Sequence, residues 1–174
     1  MLPLARKITA PLLALLLAVT VFARADERQD KDTPHVPAAL QVPAGNKLLG
    51  RAHGEGVQIY TWSAALATWG ASTPHANLYA DGKIAAIHYA GPTWQDTDGS
   101  KVEGKKLDAV TVDPDSIPWL LLQATTSGPG VFANVTYVQR LRTRGGLAPA
   151  AAGTFDGQQV LVPYTAEYLF YVAD

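Results

Sequence analysis

Apolar and polar side chains alternate with a period of two along several stretches of this chain, and the pattern predicts β-strands. Residues 57–62 are rich in β-branched and aromatic side chains, which strands favour. Residues 77–80 and 83–89 flank the pair Asp81 and Gly82. An Asp-Gly pair suits the type I′ turn of a hairpin, because both central residues of that turn need positive φ. A strand followed by a hairpin is therefore predicted.

The second half of the chain contains further alternating stretches, one of which carries several basic side chains. Residues 132–142 alternate so that Arg140 and Arg142 are predicted on the face opposite Val135. Residues 165–172 alternate as well. Both stretches are expected to form strands with one face toward the core.

No stretch keeps a convincing helical periodicity, and strand signals recur at roughly 8–12-residue spacing between turns that contain Gly or Pro. Residues 117–122 are apolar throughout, which fits either a strand covered on both faces or a turn of a buried helix. We expect a mainly β, single-domain antiparallel β-sandwich or barrel of roughly eight to ten strands. Few or no helices are expected apart from a signal peptide.

The beginning of the chain has the three parts of a secretory signal in order. Basic residues Arg6 and Lys7 are followed by an apolar run at residues 12–22 and by a small-x-small cleavage site that ends at Ala25. The apolar run is shorter than the about 20 residues that span a bilayer. We predict a signal peptide at residues 1–25 and no transmembrane anchor after its cleavage.

The predicted signal places the protein in the periplasm or outside the cell. Residues 26–37 are strongly charged and have no periodicity, so they are expected to form a flexible leader. Residues 38–174 are then expected to form the single β domain.

Composition narrows the classes of function. The chain has 14 basic and 15 acidic side chains, so it lacks the positive charge of nucleic-acid-binding proteins, and no nucleic-acid partner is expected. It has no cysteine, which excludes thiolate nucleophiles and thiolate metal ligands. With 17% charged and 48% hydrophobic residues, it has the composition of a folded globular domain.

Seven short motifs, taken in order, resemble one known family. They are GVQIY at residues 56–60, HYAGPTW at 88–94, DGSKV at 98–102, IPWLLL at 117–122, VTYVQR at 135–140, TRGGLAP at 143–149 and YTAEYLFY at 164–171. Over residues 36–172 the chain resembles the secreted domain of unknown function 3455 family, which is found in bacteria and fungi. The resemblance implies a secreted, compact, mostly β domain, and it implies no particular activity, substrate or cofactor.

The chain departs from that family pattern at two places. The pattern has one Cys just after the QIY motif and another shortly after the GGLAP motif. Here Trp62 stands at the first place, and residues 150–154 contain no Cys. The resemblance implies that the two cysteines pair with each other. Trp62 is therefore expected to lie near residues 151–153 and to fill the space of the missing disulfide.

The densest polar segment, residues 88–100 (HYAGPTWQDTDGS), is the candidate ligand site. Trp94 is expected to stack on a sugar ring while carboxyl and hydroxyl groups bind the sugar hydroxyls. The predicted ligand-binding residues are His88, Trp94, Asp96, Asp98, Ser100 and Arg140. In the alternative, structural interpretation, Trp94 anchors the core and the two Asp side chains accept hydrogen bonds from turn N–H groups.

Arg140 and Arg142 share a predicted strand face and could bind an anion or the acid group of a glycan. The alternative is a solvated strand end whose arginines pair with nearby acids. Residues 96–100 lack the third acid and the distal Glu of an EF-hand loop. The four His residues do not have metal-binding spacing either, so no metal and no cofactor are predicted.

No G-x-S-x-G or H-E-x-x-H motif occurs, so no residue is assigned as catalytic. We predict a non-catalytic binding or cell-envelope interaction module whose partner is a glycan or an envelope component. One alternative is an extracellular polymer hydrolase that uses His88 and a nearby carboxylate. Another is a structural or stress-related secreted protein without a small ligand.

Overall fold

The computed structural model describes residues 35–174, in which Pro37–Asp174 form one compact unit. The predicted signal peptide and residues 26–34 of the predicted leader lie outside the described residues. A short 3-10 helix at Ala38–Leu40 precedes the strands. The strands are β1 (Asn46–Ser63), β2 (Thr68–Trp69), β3 (Thr73–Ala80), β4 (Lys83–Tyr89), β5 (Thr93–Asp96), β6 (Lys101–Val110), β7 (Trp119–Ser127), β8 (Val135–Gly145) and β9 (Gln159–Ala173).

The strands form one antiparallel sheet that closes on itself. Their order is β2-β1-β3-β4-β5-β6-β7-β8-β9, and β1 also pairs with β9 over residues 46–61. Eight of the described strands therefore make a closed barrel. The two-residue β2 pairs with the last residues of β1, outside that ring. The prediction of a mainly β, antiparallel domain is confirmed. Of the two predicted architectures, sandwich and barrel, the closed sheet forms a barrel.

Each end of the barrel collects the starts of some strands and the ends of others, because neighbouring strands run in opposite directions. One end holds the starts of β1, β4, β6 and β8 and the ends of β3, β5, β7 and β9. We call it the apolar end, with Leu78, Asp96, Phe132 and Phe170. We call the opposite end the polar end, with Gln58, His88, Lys106 and Arg140.

Alternate side chains of each strand fill the barrel, as expected for a half-buried strand. On β9 the inward side chains are Ala166, Tyr168 and Phe170, each at most 3% exposed, so the strand has one face toward the core as predicted. Leu122 of β7 belongs to the same core. The apolar residues 117–122 thus include the start of a strand, and not a buried helix turn.

Strand β8 differs from its predicted facing. Its register against β9 shifts between Val135 and Tyr137, so one extra residue enters β8 there, and the side chains that follow change face. Val138, which is fully buried in the core, and Arg140 consequently point into the barrel. The interpretation of Arg140 as part of a solvated strand end is therefore wrong.

The 3-10 helix covers part of the outer surface of the barrel. It contacts β6 and β7, and Leu40 within it is completely buried. The side-chain amide of Gln139 donates a 2.6 Å hydrogen bond to the Leu40 carbonyl. This contact gives the buried Gln139 amide a partner, which any buried polar group requires.

Two local predictions are confirmed. Asp81 and Gly82 both have positive φ, +49° and +72°, as the type I′ hairpin turn between β3 and β4 requires. Trp62 packs directly on Gly153, so closely that a Cβ at Gly153 would lie 2.7 Å from the Trp62 Cβ. The neighbouring Trp69 indole donates a 3.0 Å hydrogen bond to the carbonyl of Ala151. The two segments where the family pattern has cysteines are thus in contact.

Candidate functional site

The structure divides the six predicted site residues between the two ends of the barrel. His88 and Arg140 lie at the polar end, where both line one cavity. Asp96, Asp98 and Ser100 belong to the opposite end, at and after the end of β5. A single site made of all six side chains is therefore not formed.

Trp94 lies between these two groups, inside the barrel. Its indole is only 1% exposed, so the prediction that it is an open stacking platform for a sugar is wrong. It packs edge-on against Tyr168 and Phe170, with ring centroids 5.6 and 6.2 Å away. Gly104 of β6 leaves room for it, because a Cβ there would lie 3.0 Å from the indole. Trp94 is a core residue, as the structural interpretation held.

His88 packs face to face on Trp94, with ring centroids 4.4 Å apart and planes 4° from parallel. Its Nδ1 lies 2.8 Å from the carbonyl oxygen of Thr93. The pKa of His88 is lowered to about 4, mainly by burial; the bond to Thr93 acts in the opposite direction, and the charge of Arg140 adds to the lowering. His88 is consequently neutral at pH 7.

Arg140 projects inward from β8, between Leu120 of β7 and Tyr168 of β9. Its Nε and Nη2 both donate to the carbonyl of Pro118, at 3.2 and 2.8 Å. Burial lowers the pKa of its guanidinium, an effect opposed by Tyr168 and Tyr164. Arginine nevertheless stays protonated in proteins. Within residues 35–174, no carboxylate lies within 4.0 Å of this cation.

We call the space in front of these two residues the polar cavity. Its volume is about 470 Å³, within the range of small-ligand sites. Its nitrogen-bearing side chains are those of Gln58, His88, Lys106 and Arg140. Its apolar walls include Pro92, Pro118, Leu120 and Leu122. None of the described residues that line it is acidic. The cavity therefore combines positive charge with partly apolar walls.

Gln58 and Lys106 are residues of this cavity that the sequence did not single out. Gln58 is 2% exposed, and its Nε2 is sealed from solvent without a hydrogen bond of normal geometry in the described part of the chain. Burial raises the pKa of the neighbouring Tyr164 hydroxyl, and the Gln58 amide is one of the groups that oppose this rise. A glutamine between the apolar Val57 and Ile59 was the available signal, since buried amides need partners.

The remaining predicted residues at the apolar end hold a turn together. The Asp98 carboxylate accepts bonds from the Ser100 amide and hydroxyl at 2.8 and 2.6 Å, and from the Val131 amide at 2.7 Å. The Ser100 hydroxyl in turn accepts a 3.1 Å bond from the Phe132 amide. The Ser100 hydroxyl, followed by the two amides, keeps the pKa of Asp98 below its ordinary value. This geometry matches the structural interpretation of these residues.

Asp96 accepts a 3.0 Å hydrogen bond from the Asp98 amide and lines a second cavity, the apolar cavity. That cavity has a volume of about 220 Å³ and lies among Leu78, Phe132 and Phe170. Phe132 and Phe170 stack with centroids 4.6 Å apart, so aromatic rings form part of the packing at this end of the barrel.

A third cluster lies on the outer surface of β1 and β9. His53 Nδ1 is 2.7 Å from a Glu167 oxygen, and His53 Nε2 is 3.4 Å from a Glu55 oxygen. All three side chains are partly exposed, and such surface pairs contribute little to stability. Across residues 35–174, no group of three or more His, Asp or Glu side chains is placed to hold a metal ion.

The described residues include no helix that is long and apolar enough to cross a membrane. No curated protein and no solved structure matches the chain. The family model described as "Protein of unknown function (DUF3455)" matches residues 43–172, which is more than half of the 174 residues. The chain therefore belongs to the DUF3455 family.

Proposed function

We propose that this protein is a non-catalytic binding module, acting outside the cytoplasm, whose polar cavity holds the negatively charged group of a small ligand. The observation that carries this proposal is Arg140. A guanidinium removed from water costs several kcal/mol unless an opposite charge offsets it. Here one backbone carbonyl and tyrosine hydroxyls are its described partners. An anion in the polar cavity supplies the missing charge.

The surroundings of Arg140 strengthen its attraction for an anion. Lys106 adds a second positive charge to a lining in which no described residue is acidic. The chain as a whole carries a formal net charge of −1, so the positive charge of the cavity is a local feature. Positive charge that lines a concave site with apolar walls raises the local concentration of anions, and low polarizability of the walls strengthens each charge interaction.

Binding fits the geometry better than hydrolysis does. The hydrolase alternative requires His88 to work with a carboxylate, but the ring bonds the carbonyl of Thr93. The nearby acids Asp96 and Asp98 lie toward the other end and bond turn amides. Arg140 instead presents a fixed, charged hydrogen-bond donor to the polar cavity. Preformed donors of this kind orient a ligand without any chemical step.

Thermal unfolding in the presence of D-glucuronate and of D-glucose at constant ionic strength tests the proposal. Glucuronate at 100 times its Kd should stabilise the protein by about 2.7 kcal/mol, and uncharged glucose should not. Arg140→Gln should lose this stabilisation. Arg144→Gln is the matched control, because Arg144 is exposed on the same strand and outside the cavity lining. Equal stabilisation of the wild type by both sugars, or full retention in Arg140→Gln, would contradict the proposal.

A further inference from the structure

The hydrogen bond of His88 defines what its other nitrogen can do. The carbonyl of Thr93 only accepts hydrogen bonds, so Nδ1 of His88 must carry the proton of this 2.8 Å bond. In a neutral imidazole the second nitrogen, Nε2, then carries a lone pair and accepts. Within residues 35–174, Nε2 has no protein partner and is not sealed from solvent as Gln58 Nε2 is. His88 is 2% exposed and lines the polar cavity, so the small exposed part of its ring borders that cavity.

The orientation of this acceptor is fixed. Trp94 holds the imidazole in a parallel stack, and Tyr168 packs edge-on against it at a centroid distance of 5.3 Å. Between these two rings and the bond to Thr93, the ring has little freedom to rotate. Preorganised polar groups discriminate strongly between ligands, because an analogue without the matching group leaves them unpaired.

The other nitrogen-bearing groups of the cavity have the opposite character. The Arg140 and Lys106 side chains are donors that carry charge, whereas Gln58 Nε2 is sealed from solvent and is not open to a ligand. A ligand that satisfies this set must accept from Arg140 with a negative group and donate to His88 with a hydroxyl or amine. Sulfate and simple carboxylates at neutral pH accept hydrogen bonds but have none to donate.

The walls indicate an organic ligand over an inorganic ion. Pro92, Pro118, Leu120 and Leu122 contribute carbon surface to the cavity. Such surface gains free energy when it is covered by a carbon skeleton, and an inorganic oxyanion supplies none. The volume of about 470 Å³ is also larger than an isolated oxyanion needs.

We propose that the ligand of the polar cavity is a hydroxycarboxylate of the sugar-acid class. Its carboxylate binds Arg140, with Lys106 nearby, and one of its hydroxyl groups donates to Nε2 of His88. This inference rests on the proposed anion-binding function and adds to it a requirement for a hydroxyl donor.

Isothermal titration calorimetry with three probes separates the two requirements. D-glucuronate has the carboxylate and the hydroxyls, cyclohexanecarboxylate has a ring and a carboxylate without hydroxyls, and inorganic phosphate is an anion without a carbon skeleton. Glucuronate should bind at least about tenfold more tightly than cyclohexanecarboxylate, because the lost hydrogen bond leaves His88 Nε2 unpaired. It should also bind more tightly than phosphate, which has hydroxyl donors but no carbon skeleton to cover the apolar walls. This comparison uses the wild-type protein alone, so it does not depend on whether any variant folds.

Two variants then locate the effect. His88→Phe keeps a flat ring against Trp94 and removes the acceptor, so it should weaken glucuronate binding to the level of cyclohexanecarboxylate and leave cyclohexanecarboxylate binding unchanged. His75→Gln, at an exposed position on β3 outside the cavity lining, should bind all probes as the wild type does.

Each other outcome overturns a defined part of the argument. Equal affinity for glucuronate and cyclohexanecarboxylate, with both lost in Arg140→Gln, would remove the hydroxyl requirement and leave the anion-binding function standing. Tighter binding of phosphate than of glucuronate would replace the sugar acid with an inorganic ion. Absence of binding by all three probes would overturn both proposals.

Discussion

The two ends of this barrel are built from the same strands, yet they treat their polar groups in opposite ways. At the apolar end, Asp98 and Ser100 bond each other and the amides of Val131 and Phe132. At the polar end, Arg140 has no described carboxylate partner, and the amide nitrogen of Gln58 has no partner with normal hydrogen-bond geometry.

This contrast separates a stabilising region from a region that costs stability. Turns whose polar groups are all hydrogen bonded, together with stacked aromatic rings, stabilise the folded protein. An uncompensated cation lowers the free energy of unfolding unless a ligand supplies the opposite charge, and an unpartnered buried amide lowers it with or without a ligand. Proteins keep such local conflicts mainly where function requires them. The polar end is therefore where a ligand is expected, and the apolar end is where mutations are expected to unfold the protein.

The largest expected effect is the loss of aromatic packing at the apolar end. Phe170→Ala removes a 3% exposed ring that stacks on Phe132, and such substitutions cost about 3–5 kcal/mol. Urea unfolding followed by circular dichroism measures the change. Phe155→Ala is the control, because Phe155 is 63% exposed and its loss should change stability by less than about 0.5 kcal/mol. Similar losses in both variants would show that the apolar end is not a packing centre.

A second prediction concerns pH and belongs to the polar end. The pKa of His88 is about 4 in the folded protein and near 6.5 in the unfolded chain. Between these values the unfolded chain binds more protons, so stability falls as pH decreases from about 6.5 to 4. At 1.36 kcal/mol per pKa unit, His88 accounts for a loss of about 3 kcal/mol.

Unfolding free energies of wild type and His88→Gln at several pH values between 7 and 4 measure this contribution. The free energy of unfolding of the variant should change less with pH than that of the wild type, because the contribution of His88 is missing. This holds whatever the stability of the variant at pH 7. His75→Gln should keep the wild-type slope, because His75 is exposed. Parallel curves for wild type and His88→Gln would mean that the imidazole is not held neutral by burial beside Arg140.

The same contrast explains how much the sequence could predict. The period-two alternation and the Asp81-Gly82 turn depend on local geometry, so the strands and the first hairpin were predictable. The bulge in β8 adds one residue with no signal in the alternation, and the inward position of Arg140 follows from it. The alternation of apolar and polar residues thus predicts which side chains point into the barrel only as far as the next bulge.

The candidate site was harder to predict for a second physical reason. In an antiparallel barrel each strand crosses from one end to the other, so polar residues that are adjacent along the chain are delivered to opposite ends. His88 lies one residue before the end of β4, at the polar end, whereas Ser100 follows β5 at the apolar end. Long-range pairing brings His88 and Arg140 to one cavity, and no spacing along the chain reports that pairing.

The smallest of the three effects distinguishes the two ends most directly. Ser100→Ala leaves the buried amide of Phe132 and one bond of Asp98 without a partner, which should cost about 2 kcal/mol. It lies at the opposite end from the polar cavity, so the affinity for glucuronate measured by calorimetry should not change. Arg140→Gln should show the reverse, with lost affinity and little change in urea stability, since removing an unpaired buried charge relieves a cost as well as losing contacts. If Ser100→Ala weakened ligand binding as much as Arg140→Gln does, the two ends would be one coupled unit, and the division between a stabilising end and a binding end would fail.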